Sequence, residues 1–252
     1  MNRLFKHFVI FITICVFTSC KRSFQVSKTD TVNISISDSI SADKKIDSFV
    51  KPFREHINRI VDSVLCYNPE SLTKNDTPLN TALGNWMADS MYERSDPIYF
   101  QRTGKHIDFV LLNHGGIRAG LNKGNMTART AYEIMPFENK VAVVELSAEK
   151  MRELLEFLAV TQRAHPISKQ LNLKIRKDSV VEQALLHSKP LDSFKTFRVA
   201  TSDYLANLGD QMDFFSNPVS RTDINYLIRN IFIDTFQAAD TLRAFYDDRF
   251  TY

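Results

Sequence analysis

The sequence predicts an α+β fold: a single domain in which a mixed β-sheet is flanked by helices, preceded by an amphipathic helix. Two observations carry this. Segments with apolar residues at three- and four-residue spacing are interspersed with short β-rich apolar runs. The two kinds follow one another without the regular strand–helix–strand alternation of a parallel α/β sheet. Hydrophobic residues make up 44% of the 252, enough for one good-sized core.

Ile46, Phe49, Phe53, Ile57, Ile60, Val64 and Leu65 share one helical face, which predicts a helix over 46–66. Pro52 would kink it or mark its true start. A second helix is expected over 79–92, with Leu83, Trp86, Met87 and Met91 inward. The run 107–112 reads as a buried strand breaking into a tight loop at Asn113. Thr127 caps a short helix over 128–135. Val141, Val143 and Leu146 lie on a strand. Ser147 then caps a helix to about Gln162, with Met151, Leu154, Leu155 and Leu158 inward. Strands are expected over 171–175, 180–186 and 197–202, and a last helix from Thr222 to about Ala239.

The first residues read as a leader rather than as part of the fold. Arg3 and Lys6 precede an apolar run over 8–17, followed by Ser19 and Cys20. That order makes a secretory signal over 1–19. The run is too short to span a bilayer as a helix. Its end resembles a lipobox, so Cys20 is the expected lipidation site and 20–43, rich in Ser, Thr, Asp and Lys, the tether. The folded part is then 44–252. The expected location is membrane-anchored and exported, at the periplasmic face of the outer membrane. Cys15 would leave with the signal and Cys20 would carry lipid. Cys66 alone remains, too few for an internal disulfide and better suited to a small buried residue than to a nucleophile.

Without residues 1–19, 30 Lys and Arg face 29 Asp and Glu. Such a balance gives no general attraction to a nucleic-acid polymer or an anionic surface. Anion recognition must come from a local site, and three clusters are candidates. Four of the seven glycines, Gly115, Gly116, Gly120 and Gly124, fall in one stretch around Arg118. Freed backbone N–H groups beside a guanidinium suit an anion, but an ordinary glycine turn with a solvated Arg has the same pattern. Phe137 and Asn139 lie in a turn, where a ring and an amide can meet a base, although such a Phe is more often core. Tyr204 and Asp210 follow a strand; Asp210 can accept from a vicinal diol or be simply a turn aspartate beside Gly209.

Together the clusters resemble the C-terminal domain of the 5′-nucleotidases, a family that also covers UDP-sugar hydrolases and 2′,3′-cyclic phosphodiesterases. The resemblance rests on Leu83-Gly84-Asn85-Trp86-Met87-Ala88-Asp89-Ser90, Asn113-His114-Gly115-Gly116-Ile117-Arg118, Pro136-Phe137-Glu138-Asn139 and the stretch from Phe197 to Asp210, in that order, over about 46–240. It implies that family's fold and a nucleotide or nucleoside substrate. Phe137 and Tyr204 would clamp the base, the latter standing where the family usually has Phe. Asn113 would bond the base edge, with Asn139 supporting it. Arg118 would contact ribose or phosphate, and Asp210 the ribose hydroxyls. Gly115, Gly116 and Gly209 would shape the loops.

The chain departs from the family's pattern at several points. His114, Leu208 and Gln211 replace glycines. Thr77 stands about where members often carry another substrate arginine. The family's two divalent metals belong to a metallophosphatase domain whose motifs, D-x-H, G-N-H-[ED] and G-H-x-H, do not occur in this sequence. No residue here is therefore expected to be catalytic or to bind metal, and no cofactor is expected in this chain. The expectation is a recognition subunit of a split 5′-nucleotidase, with metals held by a separately encoded metallophosphatase. The alternatives are a stand-alone nucleoside- or nucleotide-binding lipoprotein and a degenerate relative serving as an interaction module.

Overall fold

A computed structural model describes residues 3–17, 25–37 and 39–252. The chain divides into a unit over 1–49 and a compact unit over 50–252. The first contains α1 (Arg3–Phe17), whose described side chains are exposed. Cys20, the expected lipidation site, and the end of the leader lie outside the described residues. Among the described residues no helix is long and apolar enough to cross a membrane.

The expected amphipathic helix forms as α2 (Lys44–Val61), but it stops short of the predicted end. Pro52 lies within it and neither starts nor ends it. Val64–Asn68 is instead a strand, β1, bridged to β3 (Gly124–Thr127), with Cys66 opposite Met126 and Tyr67 opposite Asn125. The helical spacing ran on through Val64 and Leu65. A partner about sixty residues away in the chain takes those residues into a ribbon, and local periodicity cannot register that. Cys66 is buried, and burial pushes its thiol pKa up, as expected of a structural cysteine.

α3 (Ala82–Thr103) is longer than predicted and starts later. The Thr81 side chain accepts from the Gly84 N–H at 3.0 Å and caps its start. Pro97 is tolerated inside it, and Gly104, in a left-handed conformation at φ 70°, closes it. Leu83, Met87 and Met91 are fully buried, and Trp86 stacks on Phe236 with ring centroids 5.3 Å apart.

The central sheet has the order β2 (Phe109–Val110), β8 (Thr196–Ser202), β4 (Lys140–Ser147), β9 (Ser220–Leu227). Its first pair is parallel and the others antiparallel, so the sheet is mixed as expected. Both faces are covered. Val141, Val143, Ala200 and Val110 face α3, α4 (Ala128–Ile134) and α7 (Ile228–Gln237). Ala142, Val144, Leu146, Val199 and Phe109 face α5 (Ala148–Thr161) and a second sheet. Alternate side chains pointing to opposite faces explain why these strands read as nearly continuous apolar runs. Asp108 fixes the parallel pair: its carboxylate accepts from the Arg198 backbone N–H at 2.7 Å and from the guanidinium at 3.0 and 2.9 Å.

The second sheet is ordered β10 (Phe250–Thr251), β5 (Leu171–Ile175), β6 (Val181–Leu186), β7 (Lys189–Pro190). The sequence predicted two of its strands but one sheet only. Its edges are two-residue strands, too short to leave a periodic trace. The predicted helix from Thr222 is also corrected. Residues 220–227 form β9, paired along β4 with Thr222 opposite Val143, and α7 starts at Ile228. The capping expectations at Thr127 and Ser147 hold. Thr127 and Thr130 form a reciprocal capping box, and Ser147 accepts from the Lys150 N–H at 3.3 Å.

The Leu83–Ser90 motif has a structural task. Asn85 Nδ2 donates to the Phe245 carbonyl at 3.1 Å. Asp89 accepts from the Lys169 N–H at 2.9 Å and forms a two-bond pair with Arg249 at 2.9 and 2.8 Å. Arg249 is 2% exposed and also binds Asp247 and the Ile167 carbonyl. The motif thus holds the last segment of the chain and the loop before β5 against α3.

Candidate functional site

Strand direction decides where the three sequence clusters meet. β2 and β8 run parallel, with Val110 beside Ala200, so both end at the same edge of the sheet. β4 runs the other way, with Val141 opposite Ser202, so it begins at that edge. The loop at Asn113 follows β2, the turn at Phe137–Asn139 precedes β4, and α6 (Asp203–Ala206) with Asp210 follows β8. Segments far apart in sequence are thereby delivered to one place.

Asn113 and Asp210, 97 residues apart, are in direct contact: Asn113 Nδ2 donates to Asp210 Oδ2 at 2.9 Å. The Asp210 N–H donates to the Tyr204 hydroxyl at 3.2 Å. Glycines permit these contacts. A Cβ on Gly116 would stand 2.6 Å from Asn113 Oδ1, and one on Gly209 would stand 2.5 Å from the Tyr204 ring. Gly115 borders the same pair, its missing Cβ 3.8 Å from Asp210 Oδ2. Tyr204 folds over Gly209 yet stays 50% exposed.

Arg118 and Phe137 form a second group. The Arg118 N–H donates to the Ile134 carbonyl at 2.9 Å, which joins the glycine loop to the end of α4. The guanidinium then lies 5.8 Å from the centre of the Phe137 ring. Phe137 is 38% exposed. Its turn is held from beneath by Arg229, 4% exposed, which donates to the Phe137 carbonyl at 3.2 Å and to Glu138 at 2.5 Å. Asn139 is half-buried, and its carbonyl accepts the Ile228 N–H at 3.0 Å at the start of α7. The loop from Asn113 to Arg118 links the two groups, and the rings of Phe137 and Tyr204 each keep an exposed surface.

Leu208 and Gln211 adopt left-handed backbone conformations, at φ 67° and 61°. Asp210 between them has φ 56°. For non-glycine residues this costs roughly 1–2 kcal/mol each, somewhat less for Asp. The loop therefore keeps a glycine-type backbone path without glycine at two of its positions. Gly209 has no positive φ; its lack of a side chain serves the close approach of Tyr204.

Spacing in the sequence did not reveal the groups behind the loop. His165, 4% exposed, accepts the His114 N–H on Nδ1 at 3.3 Å. Its proton therefore sits on Nε2, which has no hydrogen-bond partner among the described residues. Burial pushes its pKa down to about 4. His114 places Nε2 3.0 Å from Asn75 Oδ1 and 3.2 Å from the Lys74 carbonyl. Its pKa is lowered, first by burial and then by the charge of Lys74. Lys74 Nζ donates to the Ile117 carbonyl at 2.8 Å. Thr77 bonds the Asn80 carbonyl and borders the same hollow as His114. Among the described residues no three His, Cys, Asp or Glu side chains converge as a metal site.

The mixed sheet thus presents, at one edge, exposed rings, an amide–carboxylate pair and a guanidinium. The family described as "5′-nucleotidase, C-terminal domain" matches residues 64–217. The chain belongs to this family. Among curated relatives, it is 28% identical over 173 residues to a trifunctional nucleotide phosphoesterase of Bacillus subtilis, covering 61% of this chain and 11% of that protein. It is 24% identical over 181 residues to a 5′-nucleotidase of Vibrio parahaemolyticus, covering 69% of this chain and 30% of that one. The fold matches that of a 5′-nucleotidase precursor from Thermus thermophilus, with a TM-score of 0.66 at 21% identity, over 82% of this chain and 42% of the other. It also matches the Haemophilus influenzae NAD nucleotidase, with a TM-score of 0.62 at 19% identity, over 85% and 43%. The chain thus spans less than a third of these curated relatives and less than half of these solved structures.

Proposed function

We propose that this chain is the nucleotide- or nucleoside-recognition subunit of a split 5′-nucleotidase, and that a separate metallophosphatase supplies the metals. The observation that carries the reading is the convergence of Asn113, Tyr204 and Asp210 with Arg118 and Phe137 at one sheet edge. In this reading the base lies between the Phe137 and Tyr204 rings, each stacked partner contributing roughly 1–3 kcal/mol. Asn113 meets the base edge with Asn139 behind it, Asp210 accepts from ribose hydroxyls, and Arg118 reaches ribose or phosphate. Activation of water at phosphorus needs a metal-held hydroxide and charge neutralisation, which in this reading come from the partner. Its test is phosphate release from AMP by a candidate metallophosphatase with and without this chain. A partner whose rate and KM are both indifferent to the chain removes the idea.

One observation favours a second reading. Asn113, Asp210 and the Tyr204 hydroxyl already satisfy one another, so the loop stands as a closed structural unit suited to an interaction module. Calorimetry with adenosine separates the two: a module that binds nothing shows no heat, whereas a recognition site shows heat that Phe137→Ala abolishes. We also propose anchoring through lipid on Cys20 at the periplasmic face of the outer membrane, on the strength of the leader sequence. Labelled palmitate that still enters a Cys20→Ser variant would exclude it.

A further inference from the structure

The helix α2 contributes nothing to either core. None of its residues is buried, and among the described residues both apolar clusters begin only at Leu65 or later. Val50, Phe53, Ile57 and Ile60 recur at three- and four-residue spacing and form one stripe along it. Phe53, Ile57 and Ile60 are each more than half exposed, and Val50 is exposed as well. The other side of the helix is the one that is held. Arg129 of α4 donates to the Asp62 carboxylate at 2.5 and 3.1 Å and to Asn58 Oδ1 at 2.8 Å. Asn58 and Asp62 lie roughly 120° and 160° round the helix from the middle of the stripe. The clamp therefore turns the apolar stripe away from α4. Charge says what such a stripe fits. α2 has five Lys and Arg against two Asp and Glu, a net +3. Residues 20–252 as a whole carry +1, so the rest of that stretch is slightly negative. Attraction to an anionic surface is thus concentrated on the one helix that also offers it apolar side chains. Lys45 and Arg54 flank the stripe, one on each side, at roughly 100° and 80° from its middle. A second copy of the helix would instead bring like charges together. Phe, Ile and Val on one side with Lys and Arg on the other is the composition of a helix that lies in a bilayer interface.

We propose that α2 lies flat in the interface of an anionic phospholipid bilayer, with Val50, Phe53, Ile57 and Ile60 among the acyl chains and Lys45 and Arg54 at the headgroup phosphates. Arg129 then links the membrane-bound helix to the folded unit. The contact needs neither an acyl chain on Cys20 nor a nucleotide, so it stands apart from both readings above. An acyl chain would add to it by raising the concentration of α2 at the surface.

The test is co-sedimentation of the chain from Lys21 onward with vesicles of phosphatidylcholine alone or of equal parts phosphatidylcholine and phosphatidylglycerol. This chain keeps both cores whole and lacks the apolar leader and Cys20. Anionic vesicles should bind it about a hundredfold tighter than neutral ones, each of the three net charges being worth about fivefold. High salt should remove that margin. Ile57→Ser with Ile60→Ser should weaken binding by at least about tenfold. The thermal midpoint should not move, because both side chains are exposed in the folded chain. Lys45→Gln with Arg54→Gln should leave binding to neutral vesicles alone and cut the anionic preference by about twenty-five-fold. Val160→Ser, at an exposed apolar residue of α5, should change nothing. No partition into anionic vesicles overturns the proposal. So does partition that the double serine variant leaves unaltered, or partition equally strong into neutral vesicles. A wild-type dimer without lipid that the serine variant dissolves assigns the stripe to a second copy and overturns it as well. Palmitate labelling of Cys20 is read independently, since the chain used here lacks that residue.

Discussion

His165 makes stability depend on pH in a way that can be isolated. The ring is 4% exposed and packs against Phe157 with centroids 5.5 Å apart. Its Nδ1 accepts the His114 N–H, and its Nε2–H has no partner among the described residues. Adding a proton would place a charge in this surrounding and remove the acceptor that holds the head of the glycine loop. Burial thus lowers the folded pKa from 6.5 to about 4. Between those values the unfolded chain binds a proton that the folded chain refuses, so stability falls as pH falls. At about 1.4 kcal/mol per unit, the full span amounts to about 3 kcal/mol. Roughly 2 kcal/mol of this is gone near pH 5, and almost none near pH 7.5. The perturbation is His165→Gln, whose side-chain oxygen can still accept the His114 N–H but does not titrate. Urea unfolding from about pH 7.5 to about pH 5 is the assay. Wild type should lose about 2 kcal/mol more than the variant over that interval. Carboxylates shared by both proteins cancel in the difference. Parallel curves would refute the assignment of a buried neutral imidazole.

Three further outcomes are expected. Gly116→Ala puts a Cβ 2.6 Å from Asn113 Oδ1, so Asn113 must turn away from Asp210; calorimetry should show adenosine binding weakened by about tenfold. Gln211→Gly relieves a φ of 61°, worth roughly 1–2 kcal/mol, against about 0.4–1 kcal/mol of added unfolded-state freedom. The net gain of about 0.5 kcal/mol should raise the urea midpoint, and a lower midpoint would mean that the conformation carries no strain. Arg249→Ala leaves the Asp89 and Asp247 carboxylates without the cation that bridges them. It should cost about 3–5 kcal/mol, read as a large fall in thermal midpoint, with the arrangement at the sheet edge untouched in whatever fraction stays folded.

The legible parts of the fold were those with local causes. Thr127 and Ser147 cap helices because their hydroxyls meet an N–H three residues on, and that spacing is visible in any sequence. Residues 64–66 and 222–227 carry a helical spacing yet lie in strands, because their partners, β3 and β4, are distant and non-local pairing leaves no local period. The site divides in the same way. Asn113, Arg118, Phe137, Tyr204 and Asp210 stand in recognisable runs. His165 lies 51 residues from the N–H it accepts, and Lys74 43 residues from the carbonyl it binds. Neither stands in a motif, so only the folded chain shows what they support.

The meeting of three strand ends also bears on how the molecule can fail. Asn113, Phe137 and Asp210 owe their proximity to the registers of β2 and β4 on β8, with the Arg118–Ile134 bond joining the first two segments. A peptide carrying any one motif would keep none of the arrangement. A fault anywhere along β8 would be felt by all three groups at once, so their arrangement should vanish in the same cooperative step as the sheet. A small molecule spanning those groups would then act as a rivet through the whole unit. Its occupancy should be readable in the slowest-exchanging amides of β8, some distance from anything it touches.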